Sequence, residues 1–166
     1  MTIETETPDR IEKEIFLRAP RSRVWRAISD SAEFGKWFRI QFDGPFVPGK
    51  AVQARLVAQP EWREAPLKLD LAKLKFEFHV EKIEPESLFS YRWHPAAIDV
   101  EADYSSEPHT LVTFTLEDAP GGTRLRVSES GFHALPAARR AYAFGLNESG
   151  WAEQVRRIEA YVAQAG

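Results

Sequence analysis

The sequence predicts an α+β fold in which a curved antiparallel sheet of about six to seven strands wraps around a long C-terminal helix, with two short helices after the first strand. Three observations carry this reading. Strand-period segments follow one another at close spacing after residue 75, so an antiparallel meander is the economical topology. Ala137, Ala141, Phe144, Glu148, Trp151, Val155, Ile158 and Val162 recur at alternating steps of four and three, the stripe of one amphipathic helix. Two short helical patterns interrupt the strands early, between residues 21 and 38.

Taken in order, residues 1–10 show no periodicity and read as a flexible N-terminus, and residues 11–164 read as a single domain. IEKEIFL places Ile11, Ile15 and Leu17 on one face of a strand, with Lys13 the polar exception. Ala19–Pro20 ends it, and RSRVWRAIS follows with Val24, Trp25, Ala27 and Ile28 at helical spacing. Asp30 with Glu33 reads as a capping box for a second helix, Ser31 to Phe38, carrying Phe34, Trp37 and Phe38. Asp43–Gly44 and Pro48–Gly49 mark turns around a short apolar piece, and Val52, Ala54 and Leu56 alternate in the next strand. The stretch QPEWREAPLKLDLAKLK reads as a loop with one helical turn near residues 67–73, Trp62 being either a lid or a surface-packed ring. Phe76, Phe78 and Val80, then Phe89, Tyr91 and Trp93, then Val112, Phe114 and Leu116 define three strands. Gly121–Gly122 turns the chain into a last strand with Leu125 and Val127 inward. In the final helix Pro136 suits the first turn, while Gly145 and Gly150 weaken the middle and favour a kink near Asn147.

Composition narrows the function. The chain has 166 residues, a net charge of −3 and no cysteine, which removes disulfides, thiolate metal sites, iron–sulfur clusters and cysteine nucleophiles. The charge balance supplies no field for nucleic acid, and no run reaches the roughly 18 apolar residues of a membrane span, so neither nucleic acid binding nor membrane insertion is expected. A polar N-terminus and the lack of cysteine fit a cytoplasmic location. With 5 Trp, 4 Tyr and 11 Phe, the rings either fill a core or wall a pocket, and a helix laid across a curved sheet favours the pocket.

Polar residues at inward positions are the informative ones. The parity of Leu125 and Val127 carries on to Glu129, and Glu148 interrupts the helix stripe; converging carboxylates would suit a general acid or a binding group. Against this, a bulge near Gly131 would turn Glu129 away, and a break at Gly145 would turn Glu148 to solvent. His79 alternates outward as a surface residue. His94 and His133 stand near strand and loop ends as candidate assistants, and His109 lies in a loop. These histidines with Asp99, Glu101 and Asp103 lack metal-ligand spacing, so no metal is expected. No nucleophile elbow, P-loop or dinucleotide pattern occurs, and no cofactor is expected. Arg92, Arg124 and Arg126 read as a solvated outer face laced with glutamates.

APRSRVWRAISDSAEFGKWF resembles the opening of the START-like, helix-grip superfamily. IEPESLFSYRWHP, LVTFTLEDAPGGTRLRVSESGF and NESGWAEQVRRIEAYV are similar to the branch typified by the C-terminal domain of the activator of Hsp90 ATPase, and the resemblance spans residues 11–163. It implies the helix-grip fold with a deep apolar cavity between sheet and helix, filled in relatives by lipids, polyketides, flavonoid-like aromatics or plant hormones. A minority of relatives are cyclases, hydrolases or dehydratases. By position the cavity wall would comprise Trp37, Phe78, Tyr91, Trp93, Phe114, Val127, Trp151 and Val155, with Glu129 to Phe132 and Asn147 to Trp151 bringing polar groups, Glu148 among them, to the mouth. Eukaryotic Hsp90 activators carry a separate N-terminal domain for which this chain has no room, so chaperone activation is not expected. The oxidoreductase label attached to some relatives finds no supporting chemistry here. Binding of a small hydrophobic, aromatic or lipid-like ligand is the favoured function. The alternatives are an acid-base enzyme using Glu129, and a protein-interaction module whose surface aromatics would be Trp62 and Phe46. A homodimer is compatible with either.

Overall fold

The computed structural model describes residues 7–56, 75–96 and 103–164, so Trp62, the proposed turn at 67–73, Asp99 and Glu101 lie outside the described residues. Strand β1 (Arg10–Leu17) turns Ile11, Ile15 and Leu17 inward, as its alternation requires. It begins one residue earlier than the periodicity suggests. The chain just before it is anchored, because Asp9 accepts hydrogen bonds at its carbonyl from the Gly131 and Phe132 amides and at its carboxylate from the His133 amide.

Helix α1 (Arg21–Ser29) starts at Pro20, whose extended backbone presents its carbonyl to the Arg23 and Val24 amides. Helix α2 (Ser31–Phe38) is capped by Asp30, whose Oδ1 accepts from the amides of Ala32 (2.9 Å) and Glu33 (3.2 Å). Only half of the predicted capping box forms. Glu33 turns instead to Arg23 and to the Tyr161 hydroxyl, each at 2.9 Å, tying α2 to α1 and to the last helix. Gly35 is required here, since a Cβ would stand 2.3 Å from the Ile40 carbonyl oxygen.

Strand β2 (Ile40–Phe42) precedes the Asp43–Gly44 turn, the apolar piece between the two turns forms no strand, and β3 (Ala51–Leu56), β4 (Lys75–Glu84), β5 (Leu88–Trp93), β6 (Thr110–Ala119) and β7 (Gly122–Ser130) follow. The described strands form one antiparallel sheet in the order β1-β7-β6-β5-β4-β3-β2. From β2 to β7 consecutive strands pair in chain order, and the part from β4 to β7 is the meander expected from closely spaced strands. β1 closes the far edge against β7, with Ile11 opposite Glu129 and Leu17 opposite Thr123. The register between β4 and β5 shifts after Val80, a bulge that bends the sheet. On the convex face Glu14 bonds Arg124 at 2.8 Å and Arg126 at 3.1 Å, and Arg92 faces Glu81, the solvated charge lattice that the sequence suggests.

A 3-10 turn (Phe132–Ala134) leads into helix α3 (Ala137–Gln164), which runs unbroken for 28 residues. The kink expected near Asn147 is absent. A Cβ at Gly145 or Gly150 would meet nothing within 4 Å, and the low propensity of both is offset by packing of the buried helix face. That buried face also differs from the expected stripe. Ala143, Trp151, Ile158 and Val162 are buried, whereas Ala137, Ala141 and Glu148 are exposed. The 3.5-residue average of the counted steps slips only about 20° per heptad against the 3.6-residue turn; the larger difference is that the counted stripe is centred to one side of the buried one, toward Ala141 and Glu148.

Between sheet and helices the centre is filled by rings. Phe34 is fully buried and meets Trp37 at 4.5 Å, Phe38 at 5.2 Å, Phe46 at 5.6 Å and both Phe78 and Phe114 at 5.9 Å between centroids. Phe46 belongs to this cluster and is not the surface aromatic expected of an interaction module.

Candidate functional site

The site grows from β7. Inward parity from Leu125 and Val127 brings Glu129 to the concave face, where it is 0% exposed. A carboxylate there must be hydrogen-bonded, and four neutral donors converge on it. Trp93, at the end of β5, donates its indole N–H to Oε2 at 2.8 Å, and the Thr110 hydroxyl at the start of β6 donates to the same oxygen. From α3, the Trp151 indole N–H reaches Oε1 at 2.8 Å, and Asn147 Nδ2 spans both oxygens at 2.9 and 3.1 Å. Three strands and the long helix therefore meet at one carboxylate. No cation takes part in these bonds.

Asn147 and Trp151 share one helix face because they are four residues apart. Glu148 lies about 100° further round the helix and points to solvent, so Asn147 holds the inward position that the sequence assigned to Glu148. Thr110 went unrecognised as a site residue, and Asn147 entered only as one end of the segment that the family resemblance brings to the mouth. Both had a signal, Thr110 in the inward parity of Val112 and Phe114, and Asn147 in its spacing from Trp151.

Around this array the walls are aromatic. Trp93 stands 6.1 Å from Trp151, Phe38 lies 5.9 Å from Trp151, and Tyr91 stacks on Phe78 at 4.1 Å. The Tyr91 hydroxyl is buried without a hydrogen-bond partner. Burial pushes its phenol well above the ordinary range, and the charge of Glu129 pushes the same way. Trp37, Phe114 and Val127 are buried in the same core, with Val155 half-buried beside them. Trp37 spends its indole N–H on the Ala27 carbonyl at 2.8 Å, and Phe132 packs on Phe144.

Beside Glu129 a small cavity of about 60 Å³ opens, lined among the described residues by Phe38, Trp93, Asn147, Gly150, Trp151 and Gln154. Gln154 Oε1 is buried there without a partner. This volume is about that of two waters and far below the several hundred cubic ångströms of a ligand pocket. A wider, open hollow of about 730 Å³ beside α2 and β2 is bordered by Ser31, Lys36, Arg39 and Asp43, and no buried polar array converges on it.

The candidate assistants lie elsewhere. His94 follows inward-facing Trp93 and so turns to the convex face, where its ring meets His109 at 4.2 Å. His133 is exposed, its ring bonded to the Thr7 carbonyl. Neither bonds Glu129. Arg139, from the first turn of α3, clasps the loops beside the site through Glu107 and the carbonyls of Pro95 and Ala96. No helix among the described residues is long and apolar enough to cross a membrane.

Comparison with known proteins agrees with this architecture. Protein MLL2253 from Mesorhizobium loti superposes with a TM-score of 0.70 at 22% identity, covering 95% of this chain and 98% of that one. The Aha1 dimer from Colwellia psychrerythraea gives 0.65 at 16% identity over 92% and 95%. DynU16, a protein of the dynemicin biosynthetic locus, gives 0.67 at 21% identity; 95% of this chain matches about half, 48%, of that one. No curated protein matches. The family model for Activator of Hsp90 ATPase homolog 1-like protein matches residues 18–163, and the chain belongs to that family.

Proposed function

We propose that the protein binds a small hydrophobic ligand, aromatic or lipid-like, between the sheet and α3, at the mouth formed by Phe38, Trp93 and Trp151. The carrying observation is the apolar cavity that sits directly on the hydrogen-bond array around the fully buried Glu129, with Gln154 Oε1 unpartnered beside it. Such a combination orients a ligand, because rings supply contact area and a few fixed polar groups choose its direction. The cavity must enlarge to admit a ligand. Phe38 and Trp151 meet edge to face across it, and their separation is the opening movement this reading requires. Membership in this family supports the same class of ligand.

Binding is favoured over acid-base catalysis by the state of Glu129. Each oxygen already accepts from at least two donors, so the carboxylate has no lone pair left for a substrate proton while the array stands. The reading places the protein in the cytoplasm, where a chain without cysteine is indifferent to reducing conditions.

Gly150→Leu tests it. Gly150 lines the cavity, and a Cβ there meets nothing within 4 Å, so the variant folds with unchanged or raised stability while the side chain occupies the mouth. With a flavonoid and a long-chain fatty acid as probes, the wild type should show saturable tryptophan quenching and a raised Tm, and Gly150→Leu should show neither. Equal response in both proteins, or none in the wild type across both probe classes, removes the proposal.

A further inference from the structure

The face of the sheet opposite the ligand site carries a second cluster. Gln53 and Glu77 are partners on β3 and β4, and His79 stands opposite Arg92 on β4 and β5, all on the convex side. Continuing the registers of β4–β5 and β5–β6 past their last pairs sets His94 beside Glu77 and His109 beside His94. The rings do gather. His109 lies 4.7 Å from His79 and 4.2 Å from His94 between centroids.

We propose that His79, His94 and His109 form a site for a divalent transition-metal ion such as Zn²⁺, with Glu77 as the positioning residue of His79. Two imidazoles on one tetrahedral ion, with nitrogens about 2.0–2.1 Å from it, have ring centres about 5 Å apart, close to the spacing seen. A relay orients the first ligand. Gln53 Nε2 donates to Glu77 Oε2 at 2.6 Å, and Glu77 Oε1 stands 2.6 Å from His79 Nε2, which leaves His79 Nδ1 on the other side of the ring from the carboxylate. Carboxylate support of this kind is what metal-bound histidines use. The second ligand has unspent capacity too, since His94 Nδ1 is buried with no hydrogen-bond partner. Burial and the neighbouring imidazoles hold His94 and His109 below the ordinary histidine range, so both present neutral nitrogens at neutral pH. Three imidazoles suit zinc, copper, nickel or cobalt in preference to calcium or magnesium.

Among the described residues no three donors already stand at ligand spacing, so the rings must rotate to close on the ion. All three are half-buried on the outer face, where such rotation displaces no core packing. Spacing along the chain concealed the cluster because its members come from three strands and meet only through register.

Zn²⁺ and Co²⁺ titrated into chelator-treated protein, followed by calorimetry and by the visible spectrum of cobalt, test the site. One ion per chain is expected, with a tetrahedral cobalt spectrum. His79→Gln and His109→Gln should abolish it, Glu77→Gln should weaken it 10–100-fold, and His133→Gln should leave it intact. Circular dichroism checks that each variant folds, and if one fails the other carries the test. No binding by the wild type, binding unchanged in both ring variants, or equal loss in His133→Gln would overturn the proposal.

Discussion

Glu129→Gln is the perturbation whose consequence the structure defines most fully. The side chain keeps its size, so packing is constant, but one acceptor oxygen becomes an NH₂ donor. If the amide nitrogen takes the Oε2 position it faces the Trp93 indole N–H, and in the Oε1 position it faces that of Trp151. Thr110 can rotate its hydroxyl to accept and Asn147 can flip, but an indole has only a donor. One indole N–H is therefore stranded in either orientation, which costs about 1–3 kcal/mol, and the surviving bonds lose their charge assistance; relief of the buried charge offsets part of this, leaving a net loss of about 2–4 kcal/mol. For a chain of this size each kcal/mol moves Tm by about 2–4 °C, so the expected fall is about 4–16 °C. Differential scanning calorimetry reads it, and a cycle with Trp151→Phe, which removes the N–H but keeps an aromatic ring, should show coupling between the two sites. A Tm within about 2 °C of wild type, or additive losses in the cycle, would refute the claim that these donors hold the carboxylate.

Other perturbations follow from single contacts. Gly35→Ala should cost about 1–3 kcal/mol in urea unfolding, because its Cβ meets the Ile40 carbonyl at 2.3 Å where α2 turns into β2. Asp30→Ala should cost about 1 kcal/mol by removing the acceptor of two α2 amides, whereas Asp30→Asn should cost little. In metal-free protein, His94 and His109 make stability fall as the pH is lowered. Their folded-state affinity for protons is reduced by burial, so below about pH 6.5 the unfolded chain takes up protons first, and above that range this contribution is constant. Arg92 and Arg139 beside the rings oppose protonation, while Glu77 and Glu107 moderate the fall; His109→Gln should flatten the slope in urea melts between pH 5 and 7.

What was legible in the sequence was whatever a local period encodes. The alternation of Leu125 and Val127 sufficed to turn Glu129 inward, and the close succession of strands sufficed for the β4–β7 meander. Two kinds of information lay beyond local period. One was phase around the helix: the counted stripe ran to one side of the buried one, so Glu148, three residues before Trp151, took the inward place that Asn147, four before it, holds. The other was volume and register. Aromatic residues at inward positions predicted a deep cavity, but whether rings leave space depends on how they interlock, and Phe34 with Phe46 fills the centre. The convex histidines, 15 residues apart along the chain from His79 to His94 and again from His94 to His109, are neighbours only after three strands align.

The central claim is that a hydrophobic ligand enters between the sheet and α3 beside Glu129, and the indole N–H resonances of Trp93 and Trp151 report on it directly. In heteronuclear NMR spectra recorded during addition of a flavonoid or fatty-acid probe, both signals should move together along one saturating curve, with the Trp37 signal, bonded to Ala27, moving less. If both stay fixed while the probe binds, the ligand lies elsewhere and the claim fails.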